Sequence, residues 1–372
     1  MPPNRKPRLK KGKRYKVSFF GYDEGGLARG RGPCGYEVRA RGGCREEVAT
    51  VKLDHVSPHE PLAWGRIQTL HETSPHRVSP LCKRSNRCGG CPWLHLSRQA
   101  QVEEKATRLQ KVLEKVPAPY RRLREPLRIE TVPPDVGYRN RGKYVPVQRK
   151  DHIVMGGYIP RSHRVISTLR CPVVEPAVDT TAQIVAKSLA SLGADGVYNE
   201  PLRKGLLRYV SVRSNYRGET LITLVATRSD DPRLRPLATK LMERCPELVG
   251  VTLNVNPTKG NCLFGDQRIP LAGRKTLQEG FGDIRVLLGG ESFAQAHRHV
   301  ASELYKFVIQ TAMQGESSPP RCWDLFCGTG ALSFGLFAKG CSVLGVELDP
   351  TSVALAQEQK HRIVGSDGEV ST

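Results

Sequence analysis

Asp324-Leu-Phe-Cys-Gly-Thr-Gly330 stands between a strand-like run, Arg321-Cys-Trp-Asp-Leu-Phe, and a helical one. Two glycines in such a turn let the backbone approach a ligand with no side chain in the way, and a helix N-terminus there favours polar or anionic groups. The next apolar run, Val343-Leu-Gly-Val-Glu-Leu, ends at Glu347. A strand-end carboxylate at this spacing can accept both ribose hydroxyls of a nucleoside cofactor. The strand–turn–helix–strand succession begins an open α/β domain. A glycine-rich turn beside a solvated glutamate is the plainer alternative. Asp349, just before Pro350, is fully explained as a helix cap.

Upstream, the pattern predicts different architecture. Residues 1–14 form a Lys/Arg-rich arm, read as a solvated tail able to touch phosphate. Residues 15–78 alternate short apolar stretches, such as Tyr15-Lys-Val-Ser-Phe-Phe, with Gly-rich turns, which predicts a small β-barrel of the oligonucleotide-binding type. A generic β domain without a ligand is the alternative. Val102, Ala106, Leu109, Val112, Leu113 and Val116 recur at helical spacing, predicting a packed surface helix over 97–116. Residues 79–285 make up a central α+β domain, with a hairpin from Leu206–Arg213 and Glu219–Thr227. Within it a helix opens at Asp231-Pro232 with Asp231 as its cap. Residues 286–372 then begin the α/β domain, led in by a helix from Phe293 to Gln310.

The chain has 372 residues with 58 Lys plus Arg against 36 Asp plus Glu, a net charge of +22. That balance points to a polyanionic partner, nucleic acid first and an acidic membrane surface second. Aromatic residues make up only 6%, so backbone contacts and a local site are favoured over stacking along a long strand. No apolar run approaches the roughly 18 residues of a membrane span, and the basic first twenty residues lack a secretory core. A soluble, cytoplasmic, monomeric protein is expected.

Eleven cysteines are many for a reducing compartment, and the odd number argues against a closed disulfide framework. Cys82, Cys88 and Cys91 fall within ten residues, with Gly89 and Gly90 between the last two, and Cys171-Pro follows far downstream. Soft thiolates select zinc or iron–sulfur clusters. Zinc usually recruits two close pairs. A triplet plus a distant fourth thiol fits a four-cysteine [4Fe-4S] cubane better, with zinc or unliganded thiols as alternatives. Cys34, Cys44, Cys245, Cys262, Cys322, Cys327 and Cys341 are scattered and read as packing residues.

The cysteine pattern resembles the iron–sulfur site of the bacterial RNA (uracil-5-)-methyltransferases, especially those acting on 23S ribosomal RNA. Gly21–Gly30 and Gly42-Gly43-Cys-Arg-Glu-Glu-Val resemble the TRAM domain that precedes the cluster there. Arg77-Val-Ser-Pro-Leu-Cys82 and Tyr138-Arg-Asn-Arg141 are also similar to family segments. The resemblance is patchy over the first 80 residues and firmer from 81 to 360. It implies a multidomain α/β protein: a small TRAM-like β-barrel, a central α+β domain with the iron–sulfur loop, and an incomplete Rossmann-like methyltransferase domain. It also implies S-adenosyl-L-methionine as cofactor, with Gly328, Gly330 and Glu347 at its site, and a [4Fe-4S] cluster on Cys82, Cys88, Cys91 and Cys171. Phe326 is similar to a family position lining the cofactor pocket, against which stands core packing at the strand end. Ser292-Phe-Ala-Gln295 is similar to a family segment whose glutamine contacts the methionine part of the cofactor. The spacing of Ser292 and Gln295 also makes a capping box, so that plainer role stays open.

Family chemistry at uracil C5 needs a cysteine thiolate that attacks C6, then a carboxylate base, on a base taken out of its stack. No Ser-Cys-Asn-Pro-type motif follows Glu347, and neither Cys327 nor Cys341 is a convincing substitute. The segment from His361 to Thr372 loses the family pattern and reads as disordered, as a truncated or frameshifted gene would produce. Without its usual neighbouring strand, Trp323–Phe326 is expected to present an unpaired apolar edge. Two functions follow. One is methylation of uridine C5 in RNA, ribosomal RNA favoured over transfer RNA. The other is a non-catalytic iron–sulfur RNA-binding remnant, and an electron-transfer protein is a weaker third.

Overall fold

Along the first strand, buried Val17 and Phe19 alternate with exposed Lys16, Ser18 and Phe20, the two-residue period of a sheet with one face packed inward. The computed structural model describes residues 8–117, 129–150, 152–193, 195–258, 260, 262–315 and 319–364. Expectations for the start of the basic arm, residues 1–7, and for the tail beyond Val364 lie outside them. The described chain forms two units, one up to Glu130 plus Ile159–Arg161, the other Thr131–Tyr158 and Ser162 onward.

The first unit is built on a closed five-stranded barrel in the order β1-β2-β3-β5-β4. Its strands are β1 (Arg14–Tyr22), β2 (Ala28–Arg31), β3 (Glu37–Arg41), β4 (Val48–Val56) and β5 (Leu62–Glu72). Val17, Phe19, Val38, Val51 and Leu53 fill its interior beside small alanines. The Cys82–Cys91 loop follows, then α1 (Arg98–Leu113), whose cap Ser97 accepts a hydrogen bond from Ala100 N. The helix was expected and its packing is thinner than expected: no residue of α1 is buried, and Leu109 and Val112 are exposed. Arg108 instead anchors it, 4.4 Å over the Trp93 ring and donating to the carbonyls of Asp23 and Glu24.

The second unit holds a seven-stranded sheet in the order β12-β11-β10-β9-β6-β7-β8. Its strands are β6 (Arg141–Arg149), β7 (His152–Tyr158), β8 (Val165–Ser167), β9 (Leu207–Ser214), β10 (Thr220–Ala226), β11 (Leu248–Val255) and β12 (Gln267–Gly273). The expected hairpin is present as β9–β10, with Ser214 opposite Thr220. Two helices, α2 (Pro176–Ser188) and α3 (Leu234–Arg244), cover one face. There Val210, Val212, Ile222, Leu224, Val251 and Leu253 pack against Val178, Val185, Leu237 and Leu241. Alternation puts Ser211, Arg213, Thr223, Thr252 and Asn254 on the opposite face. α3 starts two residues later than expected: Asp231 accepts from Arg233 N in the preceding turn and pairs with Arg228 and Arg233 instead of capping the helix.

The hairpin of β13 (Thr276–Phe281) and β14 (Ile284–Gly289) leads to α4 (Arg298–Ala312). Then come β15 (Arg321–Leu325), α5 (Ala331–Phe337), the parallel β16 (Ser342–Val346) and α6 (Pro350–Val364). His361–Val364, expected to be disordered, form the last turn of α6. Among the described residues β15 pairs only with β16. Trp323, Leu325, Leu344 and Val346 share one face of that ribbon and are exposed, Trp323 at 76%. No helix among the described residues is long and apolar enough to cross a membrane.

Candidate cofactor site

The turn after β15 is held open by backbone conformation. Phe326, Gly328 and Gly330 all have positive φ, at 62°, 59° and 85°. Gly330 N donates to the Cys327 carbonyl at 2.9 Å, closing the turn, and Cys327 N continues the ladder to Val346 O. A Cβ built on Gly328 meets nothing within 4 Å, whereas one on Gly330 would lie 2.8 Å from the Phe334 ring. Gly330 is therefore required by packing, and Gly328 leaves open space above the turn. The left-handed conformation costs an L-residue about 1–2 kcal/mol, so Phe326 is strained. Its ring is 89% exposed, which removes core packing as its explanation.

Glu347 follows the last residue of β16, directly beside this turn. One carboxylate oxygen accepts from Gly328 N at 2.9 Å, and the other from Leu348 N and Asp349 N at 2.7 and 2.9 Å. The amides of Asp349 and then Gly328 hold its carboxyl below the usual carboxylate range. The result is an ionised acceptor within reach of the glycine backbone. Asp349 does what a cap does, accepting from Ser352 N and from the Ser352 hydroxyl. Beneath the turn Asp324 accepts a 2.6 Å hydrogen bond from the Ser333 hydroxyl, a support that sequence reasoning missed because Ser333 lies in the middle of a helix. A groove lined by Cys327, Gly330, Ser333, Gly345 and Glu347 opens here between α5 and α6. Burial, reinforced by Asp324 and Glu347, pushes the Cys327 thiol up, away from the reactive thiolate.

Gln295 lies on the strap between β14 and α4. The alternative capping box is absent, because α4 begins at Arg298 and not at Phe293 as expected, and is capped by His297, whose Nδ1 accepts from Val300 N. Ser292 Oγ accepts from Gly289 N and closes a turn at the start of the strap, and Gln295 is exposed. The plainer explanation of Gln295 is thereby removed.

Cys82, Cys88, Cys91 and Cys171 are all half-buried. The first three sit in an irregular loop where Cys88 N donates to Arg84 O, Gly90 N to Cys88 Sγ at 3.5 Å, and Arg41 to the Cys88 carbonyl. Cys171, in the second unit, precedes α2, and its amide donates to Asp179. Among the described residues no three Cys, His, Asp or Glu side chains converge as a metal cage would require. Of the scattered cysteines, Cys44, Cys245 and Cys341 are buried as packing residues should be, whereas Cys262 is exposed.

The outer face of β1 and β2 carries Arg14, Lys16, Arg29 and Arg31. The guanidiniums of Arg29 and Arg31 lie 5.2 and 5.6 Å from the centre of the half-exposed Phe20 ring. Cations interleaved with an aromatic can contact both phosphate and base.

No family model matches the chain. It is 31% identical over 339 residues to an RNA methyltransferase of Parasynechococcus marenigrum, covering 90% of this chain and 70% of that one. It is likewise 31% identical over 317 residues to an RNA methyltransferase of Synechocystis sp., covering 85% and 66%. The chain spans about two thirds of the length of the curated relatives it matches. Among solved structures, the Pyrococcus abyssi tRNA (uracil-54, C5)-methyltransferase in complex with S-adenosyl-L-homocysteine superposes with a TM-score of 0.71 at 20% identity. That match covers 96% of this chain and 79% of the other, and shows a shared fold. The chain belongs to the RNA methyltransferase family.

Proposed function

We propose that this chain binds S-adenosyl-L-methionine at the turn after β15 and serves the methylation of uridine C5 in RNA, ribosomal RNA in preference to transfer RNA. The observation that carries the reading is the ionised Glu347 carboxylate, 2.9 Å from the Gly328 amide at an open, positive-φ turn. Gly328 and Gly330 would let the cofactor approach the backbone, Glu347 would exchange its amide partners for ribose hydroxyls, and the strained Phe326 ring would cover it. Gln295 would hold the methionine part. When bound, the cofactor supplies an electrophilic methyl group. The net charge of +22 and the Arg29–Phe20–Arg31 surface favour an RNA substrate.

The residues of this chain bind and orient, and none of them is assigned as nucleophile or base. Cys327, the thiol at the turn, is pushed toward its neutral form and faces the groove between α5 and α6. This favours a second reading, a non-catalytic RNA-binding protein that retains the cofactor site. We further propose, from the sequence pattern alone, that Cys82, Cys88, Cys91 and Cys171 carry a structural [4Fe-4S] cluster within a TRAM-containing protein. Incubation with tritiated S-adenosylmethionine and unmodified ribosomal RNA separates the two readings. Tritium in the RNA establishes catalysis. Binding of cofactor and RNA without transfer supports the second reading.

A further inference from the structure

The strap from Gly289 to Arg298 carries Ser292 and Gln295, and its backbone lies on the helix-free face of the seven-stranded sheet. Gly290 touches that face so closely that a Cβ there would sit 2.0 Å from Thr223 Oγ1. Arg141 and Arg213 stand directly opposite each other on β6 and β9. Arg213 donates to the Ser292 carbonyl. Arg141 donates to the carbonyls of Gly290 at 2.6 Å and Ser292 at 3.2 Å, and through Nε to Ser211 Oγ. Asn140 completes the row, its side chain donating to Gln295 O at 3.0 Å and its amide to Ala296 O at 2.9 Å. Beyond the strap, Arg298 is fixed between Glu175 and Glu279.

This arrangement is expensive. Arg213 is 1% exposed, and its Nε has no hydrogen-bond partner among the described residues. Burial and the neighbouring charge of Arg141 push its guanidinium down to about 9. Neither arginine forms an ion pair among the described residues. Burying a guanidinium without a carboxylate partner costs several kcal/mol of desolvation, so stability alone does not explain them. What they do uniquely is fix successive carbonyls of one segment.

We infer that Arg213 is a positioning residue: with Asn140 and Arg141 it locks the strap backbone onto the central sheet so that Gln295 is presented to the cofactor. This rests on the cofactor reading above. Held carbonyls leave the Gln295 side chain as the strap's free functional end, and Gly290 is the one residue able to pass over Thr223. The sheet thereby serves as the rigid support of a site built on another part of the unit.

The test is calorimetric titration of the full chain with S-adenosyl-L-homocysteine, with thermal unfolding run in parallel. Arg213→Met should melt at or above the wild-type temperature and bind about tenfold or more weakly. Arg213→Lys, which keeps the charge and one donor, should recover part of that loss. In a Gln295→Ala background, Arg213→Met should have little further effect, because both act through one contact. Additive losses would mean that Arg213 acts otherwise and would overturn the inference, as would unchanged affinity in folded Arg213→Met. If Arg213→Met fails to fold, folded Arg213→Lys with wild-type affinity overturns it equally. Wild-type protein that is folded but binds no S-adenosyl-L-homocysteine defeats the cofactor reading itself, and the inference with it.

Discussion

Replacing Phe326 with glycine separates a ligand-facing residue from a packed one. Three contributions set the expected stability change. Removing the left-handed strain at φ 62° returns about 1–2 kcal/mol. The extra backbone freedom of glycine in the unfolded chain costs about 0.5–1 kcal/mol. Losing the ring costs little, because it is 89% exposed and full burial of a phenylalanine is worth only about 1.5–3 kcal/mol. The sum lies between zero and about 1 kcal/mol of stabilisation. Hydrogen exchange of peptides spanning β15 to β16 should therefore be unchanged or up to about fivefold slower in Phe326→Gly. Phe281→Ala, which empties a 2% exposed core position, should cost about 3–5 kcal/mol by contrast. Affinity of Phe326→Gly for S-adenosyl-L-homocysteine should fall about fivefold, the worth of one aromatic contact. Exchange more than tenfold faster, with affinity intact, would show the ring packed in solution and not facing a ligand.

Further expectations concern other parts of the molecule. Glu347→Gln should bind S-adenosyl-L-homocysteine about tenfold more weakly by calorimetry, since a neutral amide accepts ribose hydroxyls less well. Glu47 is fully buried and pairs with Arg77 below the barrel, so Glu47→Ala should destabilise the first unit by about 3–5 kcal/mol, measured by urea unfolding. Burial opposes ionisation of Glu47, but Arg77 and the amides of Cys44 and Ser74 outweigh it and hold the carboxyl below its usual value. Its stabilisation is accordingly full above about pH 4.3 and is lost as pH falls through the lowered folded value, a decline that Glu47→Gln should not show. Cys88→Ala should lose the iron that anaerobically purified wild type is expected to carry, and iron-free wild type would remove the cluster from the account.

Local patterns were legible in the sequence and long-range ones were not. Val17 and Phe19 announced a one-sided strand, and the β9–β10 hairpin followed from Ser214–Gly218, where Asn215 accepts from Arg217 N and Glu219 N. The glycine turn and Glu347 were readable because both follow directly from strand ends. Helix starts failed where a good capping residue had a stronger use: Asp231 in an ion-pair network, Ser292 in the turn at Gly289. The clamp on the strap was invisible, because it depends on the register that places Arg141 opposite Arg213 across strands far apart in sequence. For the cysteines, spacing suggested a ligand set, yet no three of these side chains converge among the described residues.

We propose above that the turn closed by Gly328, Gly330 and Glu347 is a cofactor site. Calorimetric titration of the purified chain with S-adenosyl-L-homocysteine addresses it directly. One saturable site per chain is expected, weakened about tenfold by Glu347→Gln. Folded protein that gives no saturable binding, or a site indifferent to Glu347, would contradict it.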